Sequence, residues 1–185
     1  MFYQLYIDRI YCFLFFINDV IIKEKTKRRY YCLSNQNVDF NSIGEELKTK
    51  PEVWSLTKGA SMRPMLREHR DIVVIERLNG EIRVGDVVAY PGANNTYTLH
   101  RIVRIKNGAL IIRGDNNYFT EYNIKKEDIV GILKEIYREG KYINCKTNKG
   151  YKLYTKYIIL SYPFRIFYNR CLRPILSKIK HFIFK

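Results

Sequence analysis

None of the four cysteines, Cys12, Cys32, Cys145 and Cys171, stands in a C-x-x-C pair. Thiols scattered this widely suggest neither a zinc site nor a disulfide framework, and they read as reduced and mostly structural. The ten glycines and five prolines follow no repeated period, which excludes collagen-like, solenoid and low-complexity designs. Long apolar runs are missing too. The opening stretch MFYQLYIDRIYCFLFFINDVII is broken by Asp8, Arg9, Asn18 and Asp19, so it falls short of the run of about 18 apolar residues that marks a transmembrane helix. It has no Lys/Arg cluster ahead of its apolar part and no small-x-small site after it, so it does not read as a signal peptide. Residues 1–37 therefore read as an N-terminal extension: either a weak interfacial anchor or, with translation starting further downstream, a stretch outside any folded unit. Finally, residues 151–185 contain no Asp or Glu.

What is present fits one globular domain with appendages. The chain has 185 residues, 46% hydrophobic and 15% aromatic, too much apolar content for general disorder and too little length for two ordinary domains. Thirty-three Lys and Arg against eighteen Asp and Glu give a net charge of +15, which favours an anionic partner. Eight of those charges lie in the acid-free stretch 151–185. The central part is only mildly basic, so the anionic partner expected is a membrane surface met by the tail, with no nucleic acid.

From residue 38 the pattern changes. Ser42 with Glu45 three residues on has the form of a capping box, and Phe40, Ile43 and Leu47 recur at helical spacing. This predicts a short helix ending near Lys50, before Pro51. Short runs rich in β-branched and aromatic residues follow, each closed by a turn signal: 53–57, 71–77 up to Asn79-Gly80, 86–90 up to Pro91-Gly92, 96–105 up to Asn107-Gly108, 110–113 up to the GDNN turn, 129–137 up to Glu139-Gly140, and 142–145. About seven strands without intervening helices predict a mainly β, mostly antiparallel domain within residues 38–150. Residues 151–185 read as a basic amphipathic helical tail. Pro163 and Pro174 cut it into short pieces, and Ile175, Leu176, Ile179, Phe182 and Ile183 form an apolar face opposite Lys178, Lys180 and Lys185. Such a tail either lies on an anionic membrane or packs as a helix pair on the β-domain or a partner.

Three features carry chemistry. Ser61 sits in the small-residue turn GASMRPML, His100 in the strand TYTLHRIVRI on the side of Thr98 and Ile102, and Asp115 in the GDNN turn with Glu121 six residues later. Each alone reads as a turn or structural residue. Together they supply a nucleophile, a general base and a carboxylate to orient the imidazole. Nothing calls for a metal or organic cofactor.

The ordered series GASMRPML, RDIVVIE, GDVVAY, LHRIVRI, IIRGDNN and EDIVGIL, over residues 55–133, resembles the signal peptidase I clan. The clan includes signal peptidases and the self-cleaving repressors of the SOS response. The resemblance implies a curled, mostly antiparallel β-fold, a Ser61 nucleophile and, since His rather than Lys stands at position 100, the Ser/His branch found in the endoplasmic reticulum, archaea and some Gram-positive bacteria. It implies that Asp115 or Glu121 supports His100; that branch commonly has Asp where Glu121 stands. It further implies a precursor protein or leader-bearing peptide as substrate, held extended, with small side chains before the cut. Gly59 stands where many relatives carry an oxyanion-hole hydroxyl, so the donors expected are backbone amides, notably that of Ser61. His69, eight residues from Ser61, reads as an exposed turn residue and is a rival base; His181 has no catalytic context. Two further readings stand beside the peptidase: a catalytically silent membrane- or partner-binding module of the same fold, and a self-cleaving repressor, for which no helix-turn-helix precedes the β-region. With no membrane span, the expected location is peripheral on a membrane, on a side the sequence leaves open.

Overall fold

The computed structural model describes residues 42–92, 96–168, 171 and 174. Helix α1, Ile43–Thr49, lies where the periodicity predicts and stops before Pro51. The capping box does not form. Ser42 has helical backbone (φ −96°, ψ −1°), which turns its hydroxyl away from the first free amides; it donates instead to the Glu46 carboxylate, 3.2 Å away, while Glu45 pairs with Lys48. The other end of the helix is closed by Arg77, whose guanidinium donates to the carbonyls of Leu47 and Lys48, both at 2.7 Å.

Eight strands follow: β1 Glu52–Leu56, β2 Ile72–Arg77, β3 Val87–Pro91, β4 Tyr97–Lys106, β5 Ala109–Arg113, β6 Glu121–Ile124, β7 Gly131–Arg138 and β8 Lys141–Asn144. They form one antiparallel sheet, curled into a half-barrel, in the order β1-β2-β7-β3-β4-β5-β6, with β8 also paired to β7. The fold is mainly β, as the punctuated runs predict. Seven of the strands lie within one or two residues of their predicted bounds; β6 was not predicted.

The curl gives the sheet two cores. Strand β3 is buried at Val87, Val88, Ala89 and Tyr90 because both its faces are covered. Val87 and Ala89 join Ile43, Leu47, Met62 and Leu66 in a first core under α1, whereas Val88 and Tyr90 join Ile102, Leu110 and Ile112 in a second, enclosed by the β4–β6 half. The neighbours Leu99, His100, Arg101 and Ile102 are all buried for the same reason, alternating between the two sides.

The chain then turns into α2, Lys149–Leu160, and α3, Tyr162–Phe167. Asn148 caps α2 by accepting from the Tyr151 amide at 2.8 Å. Tyr151, Tyr154 and the buried Ile158 face the β-domain, so this part of the tail packs on the domain. The apolar face predicted over residues 175–183 lies outside the described residues. No described helix is long and apolar enough to cross a membrane.

Candidate active site

The loop that carries Ser61 joins β1 to β2 and is held from below. Thr57 Oγ1 donates to the carbonyls of Arg67 (2.7 Å) and Asp71 (3.1 Å), and the fully buried Asp71 carboxylate accepts from the Arg67 amide and from Arg138. Arg138 also donates to the Met65 carbonyl. Met62, Met65 and Leu66 are buried in the first core, so the turn rests on core side chains. Gly59 takes φ +81°, a left-handed conformation that favours glycine there. Ser61 itself is half-buried, and neither its hydroxyl nor its amide hydrogen-bonds another described residue.

His100 lies opposite Val88 in the β3–β4 register, next to Tyr90. Its Nδ1 is 2.8 Å from Glu121 Oε1 and 2.9 Å from the Tyr90 hydroxyl, which in turn donates to Glu121 Oε2 at 2.8 Å. An ionised carboxylate only accepts, so the Nδ1–Glu121 contact requires the proton on Nδ1 and leaves the Nε2 lone pair free. Nε2 is buried and has no hydrogen-bond partner among the described residues. Burial pulls the His100 imidazole below the ordinary value of 6.5, with the Glu121 charge opposing. Burial, and then the bond to Glu121, raises the Tyr90 phenol and keeps it a neutral donor.

Asp115 does not reach this imidazole. Its carboxylate takes Arg101 Nε on one oxygen and Nη2 on the other, both at 2.8 Å, and accepts from Tyr154 at 3.0 Å. Both side chains of the Arg101–Asp115 pair are almost wholly buried. Burial alone would lower the Arg101 guanidinium; the Asp115 carboxylate more than reverses this and holds it charged. Of the two carboxylates implied for His100, the structure brings Glu121 to it and gives Asp115 to the next residue along the strand. The reason is the alternation of β4: His100 and Arg101 point to opposite sides of the sheet.

Two contacts place the Ser61 loop against neighbouring elements. The Asn116 amide donates to the Ser61 carbonyl at 2.7 Å, three residues beyond Arg113, which pairs in register with Arg101. Ser61 also lines a cleft of about 400 Å³ with Thr57, Leu66, Tyr97, Thr98 and Leu99. The serine loop thus sits beside the first residues of β4, while His100 does not line the cleft and makes no hydrogen bond to Ser61. His69 is an exposed turn residue, at φ +56°, with Nε2 3.6 Å from Glu68 Oε1, which also accepts from the Gly59 amide. His181 lies outside the described residues.

Tyr90 is the site residue that sequence reasoning missed. It ends the apolar run VVAY and reads as core; the register that sets its hydroxyl beside His100 is visible only once β3 and β4 are paired. The free thiols are Cys145, part-buried and pushed up to about 12 by burial, and the exposed Cys171; Cys12 and Cys32 lie outside the described residues. Among the described residues no three His, Cys, Asp or Glu side chains cluster as a metal site. The chain matches no protein-family model and no curated protein.

Proposed function

We propose that this chain is a serine endopeptidase of signal peptidase I type, of the Ser/His branch that its motifs resemble, which cleaves signal or leader peptides from precursors. The observation that carries the reading is the state of His100: proton held on Nδ1 by Glu121, Nε2 buried and unpartnered among the described residues, on the strand whose first residues, Tyr97 to Leu99, line the cleft beside Ser61. In this reading Nε2 of neutral His100 takes the Ser61 Oγ proton as Oγ bonds to the substrate carbonyl carbon. The imidazolium then returns that proton to the amine nitrogen as the peptide bond breaks, leaving the acyl group on Ser61. His100 next takes a proton from water, whose oxygen attacks the acyl carbon; Ser61 recovers its proton as the acid product leaves. Glu121 stabilises the transient imidazolium. The unengaged Ser61 amide serves as the backbone donor to the oxyanion.

The cleft beside Ser61, walled by Leu66, Tyr97 and Leu99, suits a small apolar side chain next to the scissile bond of an extended substrate. The test is hydrolysis of a library of precursor-derived peptides by the purified full chain. Cleavage should be abolished by Ser61→Ala and fall by about a hundredfold or more in His100→Ala. A rate unchanged by both substitutions would sink the mechanism. The lack of a direct Ser61–His100 hydrogen bond favours, as the second reading, a catalytically silent binding module, and the same assay separates the two.

A further inference from the structure

The outward side of the two C-terminal helices is apolar and uncovered. Leu153, Tyr157, Leu160, Phe164 and Phe167 are exposed, Leu153, Leu160 and Phe164 by more than 70%. Their spacing places them in one stripe of a continuous helix. The two helices meet at Ser161, which keeps helical backbone (φ −75°, ψ −10°), and the bonds Ser161 N to Tyr157 O (2.9 Å) and Arg165 N to Ser161 O (3.0 Å) carry the helical turn across the junction. The opposite side is already used: Arg101 bonds Thr155 (3.0 Å), Tyr154 bonds Asp115, Ile158 is buried, and Arg165 donates to the Asp115 carbonyl at 2.8 Å. The stripe is therefore a second face, unpartnered among the described residues, of helices whose orientation is fixed. Exposed Lys149, Lys152 and Lys156 run along one edge of it, and no acidic residue occurs from 149 to 185.

We infer that the α2–α3 face is a docking surface for an anionic lipid membrane, in which the Leu153–Phe167 stripe enters the acyl boundary and the lysine row meets the headgroups. Charge selects this occupant. A second copy of the chain, packed through the same face, would bring together two lysine-bearing helix pairs with no acidic residue on either, and a cationic leader would find no counter-charge there either. Anionic headgroups match the row, and lysine stems reach from the apolar boundary to the headgroup layer. The packed side of α3 lies near the proposed site: Tyr162 donates to the Tyr118 carbonyl at 2.9 Å, three residues before Glu121. This inference does not rest on the peptidase reading, and its test uses no substrate.

The test is flotation of the full chain with vesicles of phosphatidylcholine alone or mixed with phosphatidylglycerol. The chain should float with the mixed vesicles and far less with neutral ones, and added salt should weaken the binding. The double substitution Leu160→Glu and Phe164→Glu, at exposed positions, should weaken binding at least about tenfold with circular dichroism unchanged. Hydrogen exchange on wild-type protein should show vesicle protection concentrated in residues 149–167, which keeps the test independent of how the variant folds. Equal binding to neutral vesicles, undiminished binding of the double variant, or protection confined to other segments would each overturn the inference. So would a wild-type dimer that the same substitutions split while lipid binding stays absent.

Discussion

The imidazole of His100 is almost wholly buried, whereas the carboxylate that faces it, Glu121, is about one-third exposed on its side chain. The two groups therefore respond differently to change. Burial lowers the imidazole from its ordinary value of 6.5, and Glu121 limits that fall by favouring the charged form. The acid limb of the proposed activity belongs below pH 6.5, because the base works only when neutral. Glu121→Gln removes the opposing charge. The limb should move to lower pH while the plateau rate drops about a hundredfold or more, since the imidazolium formed in the reaction loses its counter-charge. Tyr90→Phe acts in the other direction on the limb. It takes a donor from Glu121, leaves that carboxylate freer to attract a proton on the imidazole, and should raise the limb while lowering the plateau about tenfold, the worth of one hydrogen bond of about 1–1.5 kcal/mol. A pH–rate profile of peptide cleavage distinguishes the two variants. Equal, pH-independent losses would mean that both residues serve only packing.

At the scale of elements, one buried ion pair ties the strand that carries the base to the helices behind it. Arg101 on β4 is held by Asp115 and donates to the Gly85 carbonyl and Thr155, while Asp115 receives Tyr154 from α2 and, through its carbonyl, Arg165 from α3. Asp115→Asn would leave a guanidinium in the first core without its charge partner, at a cost of about 3–5 kcal/mol. Urea unfolding of the variant should show a loss of that size, whereas Glu121→Gln, at the exposed edge, should lose about 1 kcal/mol or less. A stable Asp115→Asn protein would mean that the pair does not hold β4 to α2. Much of this sheet was legible in the sequence because its strands are punctuated by turn residues with particular backbone needs: Asn107 and Gly108, and Glu139 and Gly140, all take positive φ. Strand β6, with the sequence EYNI, escaped because it is short, half polar and contains Asn123 at φ +62°. The same features hid which carboxylate serves His100. Register shifts between Ile102 and Arg104 and between Leu110 and Ile112 decide which side of the sheet each acid reaches, and a list of spacings does not contain them. The capping box failed on one torsion of Ser42, a local choice the residue pattern does not determine.

Over the whole molecule, a mainly β domain uses the two ends of its curl for different tasks. One core, under α1 and the Ser61 loop, is closed by apolar side chains; the other side of β4 holds the buried His100 with the Glu121 carboxylate and the Tyr90 phenol. Eight positive charges and no acidic residue occur in 151–185, and on the described helices Lys149, Lys152 and Lys156 are exposed. Composition and charge made that division legible, and the motif series made Ser61 and His100 legible; Tyr90 and the separate duties of Asp115 and Glu121 required the folded sheet. The most direct measurement is a mass-spectrometric comparison of peptide and protein N-termini from cells carrying the wild-type chain with those from cells carrying Ser61→Ala at equal abundance. A working peptidase predicts a defined set of N-termini that vanishes in the variant and shares small residues before the cut. Identical sets of N-termini would contradict catalysis by Ser61.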